Sequence, residues 1–478
     1  MKKKSILDGL LWKFSERILV QLVNIIVNVI LARMLLPSDY GLLSLVMVFI
    51  SIADIMVNYS FSNALIQKKD SDAIDFSSVF YFNIFFSLLI YFCLYLGAPV
   101  IADYFEHTEL VSIVRILALR IIIVSLNSVQ QAYVSKKMLF KKFFFSTLGG
   151  TVAAAFLGIY LAMNGFGVWA LVGQYLINPI IDTMVLWFTV RWRPIPQFSF
   201  SRLKTLFGFG GKLLFSGILD RAYIELRSVI IGKKYSSIDL AYYKNGEQYP
   251  QILINNINVS ISAVFFPALS KEQDNIDDVR KMLSTMVRMS AYIVFPCMVG
   301  MAVVAENVIE ILLTEKWLEC VPYLQIACFT YAFYPIHTAN LDVLKALGKT
   351  DMMLKLEVLK KAIGIVLLIC AVKYGVLAIA LSAVVQTIIA FFVNTFSNKR
   401  ILYYGWCQQV KDILPSIVNS FIMGVVVWGI GSRISNIYIG LLIQIVSGIV
   451  VYFILSIVTK QREFYILYHF IKEKFVHI

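Results

Sequence analysis

The sequence predicts an all-α polytopic membrane protein with about 14 transmembrane helices. Of its 478 residues, 59% are hydrophobic and only 15% are charged. Soluble domains have roughly 45–50% apolar and about 25% charged residues. So few charged side chains cannot cover the surface of a soluble protein of this length, and the apolar residues are grouped into segments of membrane-spanning length.

These segments lie between clusters of charged residues, Pro, Gly or Asn, and each approaches or exceeds the ~20 residues that a helix needs to cross the hydrocarbon. They are residues 11–35, 40–66, 77–102, 110–134, 143–163, 166–190, 205–232, 239–268, 280–304, 320–346, 352–372, 375–398, 411–432 and 437–458. Lys13, Glu16 and Arg17 interrupt the apolar region that a signal peptide would need, so the first segment is predicted to be an uncleaved span. No connection is long enough for a soluble domain, which excludes a fused ATPase or a large extramembrane catalytic domain.

The net charge of +14 is concentrated in alternate loops. With the N-terminus in the cytoplasm, the cytoplasmic loops and tail contain 25 Lys and Arg residues, and the opposite loops contain 6. Cytoplasmic loops of membrane proteins are enriched in Lys and Arg, so both termini are predicted to be cytoplasmic and no nucleic-acid partner is needed. The Cys and His residues show no spacing typical of metal ligands or disulfides, and we expect no metal site and no catalytic residues.

An internal repeat relates the first six predicted spans to the next six. Residues 30–41 resemble residues 230–241 at an offset of 200, and residues 166–171 resemble residues 374–379 at an offset of 208. Because six is even, the repeats share one orientation in the membrane, as in two-lobed alternating-access transporters. The predicted divisions are a first lobe at 1–200, a second pseudo-symmetric lobe at 201–403, two extra C-terminal helices at 404–460 and a basic cytoplasmic tail at 461–478.

Polar side chains follow single faces of several predicted spans, and ionisable groups cost about 2.5–3.5 kcal/mol each at the bilayer centre unless they face water or a partner. The residues predicted to line a water-filled vestibule between the lobes are Arg17, Gln21, Asn24, Asn28, Asp54, Asn58, Arg120, Asn127, Lys212, Arg221, Glu225, Arg227, Lys244, Gln248, Gln251, Asn255 and Arg288. Single polar residues could instead join helices, and Arg221 with Glu225 fits a structural ion pair equally well. The excess of cations favours an anionic substrate, because guanidinium groups pair well with phosphate.

Several short motifs resemble a known family. They are Trp12 with Glu16-Arg17, residues 31–41, Phe265-Phe-Pro-Ala-Leu-Ser-Lys271, residues 317–325, and Ala346-Leu-Gly-Lys-Thr-Asp351 continuing through residues 355–361. Together with the predicted spans they resemble the polysaccharide transporter branch of the multidrug/oligosaccharidyl-lipid/polysaccharide (MOP) flippase superfamily, in particular its lipopolysaccharide, colanic acid and teichuronic acid exporters. The resemblance covers nearly the whole chain.

The resemblance implies a flippase of the bacterial inner (plasma) membrane, not an enzyme. Its substrate would be a polyprenyl-pyrophosphate-linked oligosaccharide, such as an O-antigen, capsule or exopolysaccharide unit, and its expected partner proteins are glycosyltransferases and a glycan polymerase. No cofactor is expected, and the coupling ion, H⁺ or Na⁺, is left open. Two alternatives remain: a cation-coupled multidrug exporter of the same superfamily, which usually has fewer spans, and a membrane glycan polymerase, which usually has a long outer loop.

Overall fold

The computed structural model describes residues 3–68 and 70–476, and all side chains within them except those of residues 3–11, 58–61, 63, 67, 208–210, 212–213, 467, 470–471 and 473–476. This described part is helical and contains no strand, which confirms the predicted all-α class. The helices are α1 (Lys3–Met34), α2 (Pro37–Gln67), α3 (Ala73–Phe105), α4 (Leu110–Leu117), α5 (Leu119–Lys136), α6 (Phe140–Met163), α7 (Val168–Thr189), α8 (Phe200–Lys234), α9 (Ser237–Lys271), α10 (Ile276–Val303), α11 (Ala305–Leu313), α12 (Val321–Ala332), α13 (Tyr334–Ala346), α14 (Thr350–Ala371), α15 (Val376–Leu402), α16 (Trp406–Gly431), α17 (Ile437–Val458) and α18 (Arg462–Val476). A 3₁₀-helix at Glu315–Cys320 joins α11 to α12.

Among the described residues, 11 helical segments are long and apolar enough to cross a membrane. They coincide with eleven of the predicted spans, and the chain is a multi-pass membrane protein. The other three predicted spans correspond to α8, to α12 with α13, and to α14. Charged residues lower the hydropathy of α8 and α14, and a break at Phe333 separates α12 from α13. The total of fourteen spans therefore stays a prediction.

The chain packs into two compact units, Met1–Ala241 and Tyr242–Ile478. In the first unit, α2 packs against α5 and α8, and α6 packs against α1 and α7. In the second unit, α10 packs against α12, α13 and α16, and α14 packs against α15. Helix α8, which the sequence places in the second lobe, belongs to the first unit because it lies along α2. The division into lobes at 200 and 403 stays a prediction.

Residues with positive φ recur at matching positions of the two repeats, 208 to 210 residues apart. The pairs are Glu106 and Thr314, Met138 and Gly348, and Gly167 and Gly375. Residues other than glycine rarely adopt positive φ, because the Cβ atom then approaches the backbone. The recurrence of a positive φ at these positions is what an internal repeat predicts, and it is independent of hydrophobic composition.

Three prolines inside spanning helices each free one backbone carbonyl, and a side chain donates to each freed group. Proline has no N–H, so the carbonyl four residues earlier has no helical donor, and an unsatisfied carbonyl in hydrocarbon costs several kcal/mol. For Pro99, Pro179 and Pro296 the contacts are Arg115 Nε to the Tyr95 carbonyl (3.3 Å), Arg120 Nη1 to the Tyr175 carbonyl (3.0 Å), and Tyr452 Oη to the Tyr292 carbonyl (2.9 Å). Arg115 and Arg120 therefore each support a neighbouring helix.

Two glycines bring α2 close to α8 and to the start of α9. A Cβ atom added at Gly41 would lie 2.0 Å from the carbonyl oxygen of Ser237, and one added at Gly232 would lie 2.2 Å from Cδ2 of Leu45. Both distances are far below van der Waals contact, so a side chain at Gly41 would require the backbones to separate. This close crossing holds the face of α8 that carries Arg221 against α2.

In the second unit, three buried amides join α13, α15 and α16. Asn340 Nδ2 donates to Gln409 Oε1 (2.9 Å), and Gln409 Nε2 donates back to Asn340 Oδ1 (2.7 Å). Asn398 Nδ2 donates to the same Asn340 oxygen at 2.6 Å. Such interhelical hydrogen bonds contribute about 0.6 kcal/mol each on average in membrane proteins. These three amides therefore help to hold α13, α15 and α16 together within the second unit.

Candidate functional site

A cluster of charged side chains lies where α5 and α8 each pack against α2 in the first unit. Asp54 lies one turn after Ser51 on α2, so both side chains point from the same helix face. From α5, Arg120 Nε donates to Asp54 Oδ2 at 3.2 Å, and Arg120 Nη1 donates to the carbonyl of Tyr175 on α7. Pro179 leaves that carbonyl without a helical donor. Arg120 of α5 therefore contacts both α2 and α7, and these two contacts fix its position.

From α8, Arg221 approaches the same turn of α2. Its Nε donates to Ser51 Oγ at 2.9 Å, and its Nη2 forms an ion pair with Glu225 Oε1 at 2.8 Å. Glu225 is buried and also accepts a hydrogen bond from Ser228 Oγ at 2.8 Å. We refer to Asp54, Arg120, Arg221 and Glu225 as the charged cluster.

The charged cluster contains two guanidinium groups and two carboxylates, so its formal charges balance. The side chains of Arg120 and Arg221 are 23% and 35% exposed, whereas that of Glu225 is 5% exposed. Each arginine uses two of its N–H groups in the contacts given above and retains further donors. The cluster can therefore donate charge-assisted hydrogen bonds to an anion, although its carboxylates offset the cationic excess that the sequence analysis assigned to this region.

The polar stripe on α1 lies on a partly uncovered helix face. Arg17 is exposed, and Gln21, Asn24 and Asn28 are half-buried along the same face. No ion pair with Arg17 is found among the described side chains, while the preceding Glu16 pairs with Lys13 at 2.8 Å. The N–H groups of Arg17 are thus accessible to a ligand.

A second stripe follows α9 in the second unit. Lys244 and Gln248 are half-buried, and Gln251 and Asn255 are exposed. Of the remaining predicted residues, Arg227 is half-buried on α8. The side chains of Asn58 and Lys212 lie outside the described residues.

Two predicted residues are placed away from the charged cluster. Asn127 on α5 donates from Nδ2 to Oδ2 of Asp182 on α7 at 2.5 Å. In the second unit, Arg288 Nε lies 2.9 Å from Glu463 Oε1, and Arg288 Nη1 lies 3.5 Å from Asp412 Oδ1. These contacts join α10 to α16 and α18. The assignment of all seventeen residues to one vestibule stays a prediction.

Sequence reasoning did not select Asp182 or Glu463, both of which are buried carboxylates. A signal existed for Asp182, because it is the only Asp, Glu, Lys or Arg residue of the predicted span 166–190 and charged residues are rarely incidental in a membrane. Glu463 had no such signal. It lies beyond the last span, in the predicted tail, and only the fold brings it to Arg288.

Comparison with known proteins gives consistent results. Residues 30–322, more than half of the chain, match the family described as "Polysaccharide biosynthesis protein". The chain is 24% identical over 435 residues to the teichuronic acid biosynthesis protein TuaB of Bacillus subtilis, covering 89% of each protein. It is 23% identical over 452 residues to the lipopolysaccharide biosynthesis protein WzxC of Escherichia coli, covering 90% of this chain and 89% of that protein. The fold is similar to the inward closed conformation of the lipid II flippase MurJ, with a TM-score of 0.75, 18% identity and coverage of 95% of this chain and 98% of that one.

Proposed function

This chain belongs to the polysaccharide biosynthesis protein family, and we propose that it is a flippase for a polyprenyl-pyrophosphate-linked oligosaccharide. The substrate is an O-antigen, capsule or exopolysaccharide unit, which the protein transfers to the outer leaflet by alternating access. Two matched relatives are named for the biosynthesis of teichuronic acid and lipopolysaccharide, and the fold is that of a lipid II flippase.

The observation that carries this proposal is the charged cluster on membrane helices. Arg120 and Arg221 are held in place by Asp54 and Glu225, yet both remain partly exposed. A guanidinium group presents a planar set of donors that matches phosphate oxygens. Since sugars and pyrophosphate cannot enter hydrocarbon unaided, a polar path with fixed donors is what their transfer requires, while the lipid tail stays in the bilayer.

We place the protein in the bacterial inner membrane with both termini in the cytoplasm. The support is the distribution of Lys and Arg, with 25 in one set of loops and 6 in the other. We further propose that it is a transporter without catalytic activity or a bound cofactor, that H⁺ or Na⁺ is its coupling ion, and that glycosyltransferases and a glycan polymerase are its partner proteins.

Deletion of the gene tests this function. A deletion strain should lose the surface glycan and accumulate the lipid-linked oligosaccharide on the inner leaflet, where an impermeant lectin detects it in inside-out but not in right-side-out vesicles. Expression of the wild-type chain should reverse both effects. Normal surface glycan in the deletion strain, with drug resistance on overexpression, would instead indicate a multidrug exporter. Formation of glycan linkages by the purified protein would indicate a glycan polymerase.

A further inference from the structure

An apolar pocket lies on the surface of the first unit, beside the C-terminal end of α7. It has a volume of about 490 Å³. Two of its lining residues, Met184 and Phe188, are 51% and 87% exposed, so the pocket opens to the surroundings of a spanning helix. Its lining residues are Leu126 of α5, Thr183, Met184, Trp187 and Phe188 of α7, and Arg193, which follows α7. Four of these six side chains are apolar, so hydrocarbon fits most of the pocket.

Trp187 forms a fixed wall of this pocket. Its Nε1 atom donates to the carbonyl of Leu126 at 3.1 Å, which holds the indole against α5. The guanidinium carbon of Arg193 lies 5.2 Å from the centroid of the Trp187 ring, within the range of a cation–π interaction. Trp side chains are enriched at the membrane–water interface, where the ring lies at the level of the lipid headgroups. The pocket therefore combines an apolar wall with a cation at its edge.

Arg193 and Lys142 both donate to the last turn of α7. Arg193 Nη1 donates to the carbonyl of Val190 at 2.6 Å, and its Nη2 donates to the carbonyl of Trp187. Lys142 Nζ, from α6, donates to the carbonyl of Thr189. Residues 187–190 form about one helical turn, which rises about 5.4 Å. Because both side chains contact this one turn, the two positive charges lie close together at the edge of the pocket.

Both cations retain N–H donors for a ligand. A further bond from Arg193 Nη1 to the carbonyl of Trp192 at 2.7 Å brings the donors that Arg193 uses to three of its five. Lys142 uses one of its three donors in the contact with Thr189. The ion pairs of the described side chains include neither Arg193 nor Lys142. The remaining donors are thus accessible to an anion.

Carboxylates near these cations are bound elsewhere. Asp182 is the only Asp or Glu residue of segment 132–219, and its Oδ2 atom accepts hydrogen bonds from α5. At the start of α3, Asp72 pairs with Arg202, and Asp75 pairs with Arg202 and Lys68. The positive charge beside the pocket is therefore not neutralised by the protein's own ion pairs.

We propose that this pocket binds an anionic phospholipid. An acyl chain packs against Trp187 and Phe188, and the phosphate accepts hydrogen bonds from Arg193 and Lys142. The planar donors of a guanidinium group match phosphate oxygens, and basic pockets between spanning helices on the cytoplasmic side bind anionic headgroups. With the orientation proposed above, the lipid belongs to the cytoplasmic leaflet. Since it contacts α5, α6 and the end of α7, its binding stabilises the packing of these three helices.

Melting and binding measurements on the purified full-length protein in a neutral detergent test this site. A ligand that binds only the folded state raises the melting temperature, and the rise grows with ligand concentration. Added phosphatidylglycerol should raise the melting temperature saturably, and phosphatidylcholine of the same acyl chains should raise it less because its headgroup carries no net charge. Diacylglycerol and inorganic phosphate should each have little effect, because each supplies only one half of the contacts. Native mass spectrometry should show one tightly bound phosphatidylglycerol.

Two variants and a matched control locate the effect. Arg193→Gln should raise the dissociation constant of phosphatidylglycerol roughly ten-fold or more, because a charge-assisted bond to phosphate is lost, and Arg193→Lys should restore part of the affinity. Met184→Trp leaves the charges unchanged and should also weaken binding, because the indole occupies the space that we assign to the acyl chain. Lys411→Gln, which removes an exposed cation at the start of α16, should bind phosphatidylglycerol like the wild type.

The proposal is overturned if phosphatidylglycerol and phosphatidylcholine stabilise the wild type equally, or if Arg193→Gln and Lys411→Gln bind phosphatidylglycerol alike. Equal stabilisation by inorganic phosphate alone would assign the cations to a free anion and would also overturn it. Competition by polyprenyl pyrophosphate without binding of phosphatidylglycerol would assign the pocket to the transported lipid instead. Met184→Trp lies on an exposed face and covers the case in which Arg193→Gln fails to fold. Because every readout is lipid binding or melting, a negative result leaves the flippase proposal to be decided by the deletion strain.

Discussion

Replacing Arg221 together with Glu225 separates a substrate-binding role of Arg221 from a structural one, because Arg221 is paired and still partly exposed. Arg221→Ala removes the hydrogen bond to Ser51 and the ion pair with Glu225 at 2.8 Å. It also removes the further donors that we assign to the pyrophosphate. The single variant therefore affects both folding and transport, and its interpretation requires a second substitution.

The two effects have different magnitudes. Removing one partner of a buried ion pair costs about 3–5 kcal/mol, and because the Arg221 side chain is 35% exposed we expect a loss no larger than the lower end of that range. A charge-assisted hydrogen bond to the substrate is worth about 1.5–3 kcal/mol. Its loss reduces transport roughly ten- to hundred-fold, since about 1.4 kcal/mol corresponds to a factor of ten.

The double variant Arg221→Ala, Glu225→Gln distinguishes these effects. Neutralising Glu225 removes the buried carboxylate charge whose ion pair with Arg221 is lost, so the double variant should recover the melting temperature and the membrane level of the protein. It should still accumulate lipid-linked glycan on the inner leaflet, measured with the impermeant lectin in inside-out vesicles. Glu225→Gln alone keeps the guanidinium group and should export glycan nearly as well as the wild type. Wild-type export by the double variant would refute the role of Arg221 in substrate binding and leave it a structural ion pair.

Three further outcomes are expected. Arg17→Ala should reduce glycan export roughly ten- to hundred-fold in the same vesicle assay, because a charge-assisted bond to phosphate is lost. Arg17→Lys should retain part of the export activity. The control Arg33→Ala should have little effect on export. Reporter fusions after Lys142 should indicate the cytoplasm and fusions within 306–319 the outside, and the reverse result would contradict the proposed orientation. Gly41→Leu should lower the melting temperature and the export rate, since even a Cβ atom there would lie 2.0 Å from a backbone oxygen, and an unchanged melting curve would contradict the close crossing.

The sequence predicted what depends on local pattern. Hydropathy predicted the spanning segments, because a helix in lipid satisfies its own backbone groups whatever its neighbours are. The spacing of Arg221 and Glu225 predicted a structural ion pair as one of two interpretations, the other being that both residues line the vestibule. Residues four apart on a helix lie on one face, so their side chains can meet. Neither inference required knowledge of how the helices pack.

Contacts between distant segments could not be predicted in this way. Nothing in the pattern around Arg120 indicates that it pairs with Asp54 or that it donates to the carbonyl freed by Pro179. In the same way, Arg288 was assigned to the vestibule because it is an ionisable residue in a span, whereas the fold pairs it with Glu463 of α18. Composition shows that a charge needs a partner, but only tertiary packing shows which partner it has.

The two repeats share positions of positive φ but differ in buried charge. At the offsets of the matching positive-φ pairs, 208 and 210, the counterparts of Asp182 and Asn127 are Ala390 and His337. Ala390 has no oxygen atom in its side chain, and His337 Nδ1 lies 3.4 Å from Asn394 Nδ2 in a polar contact between α13 and α15. The second repeat thus keeps the fold of this region without its carboxylate.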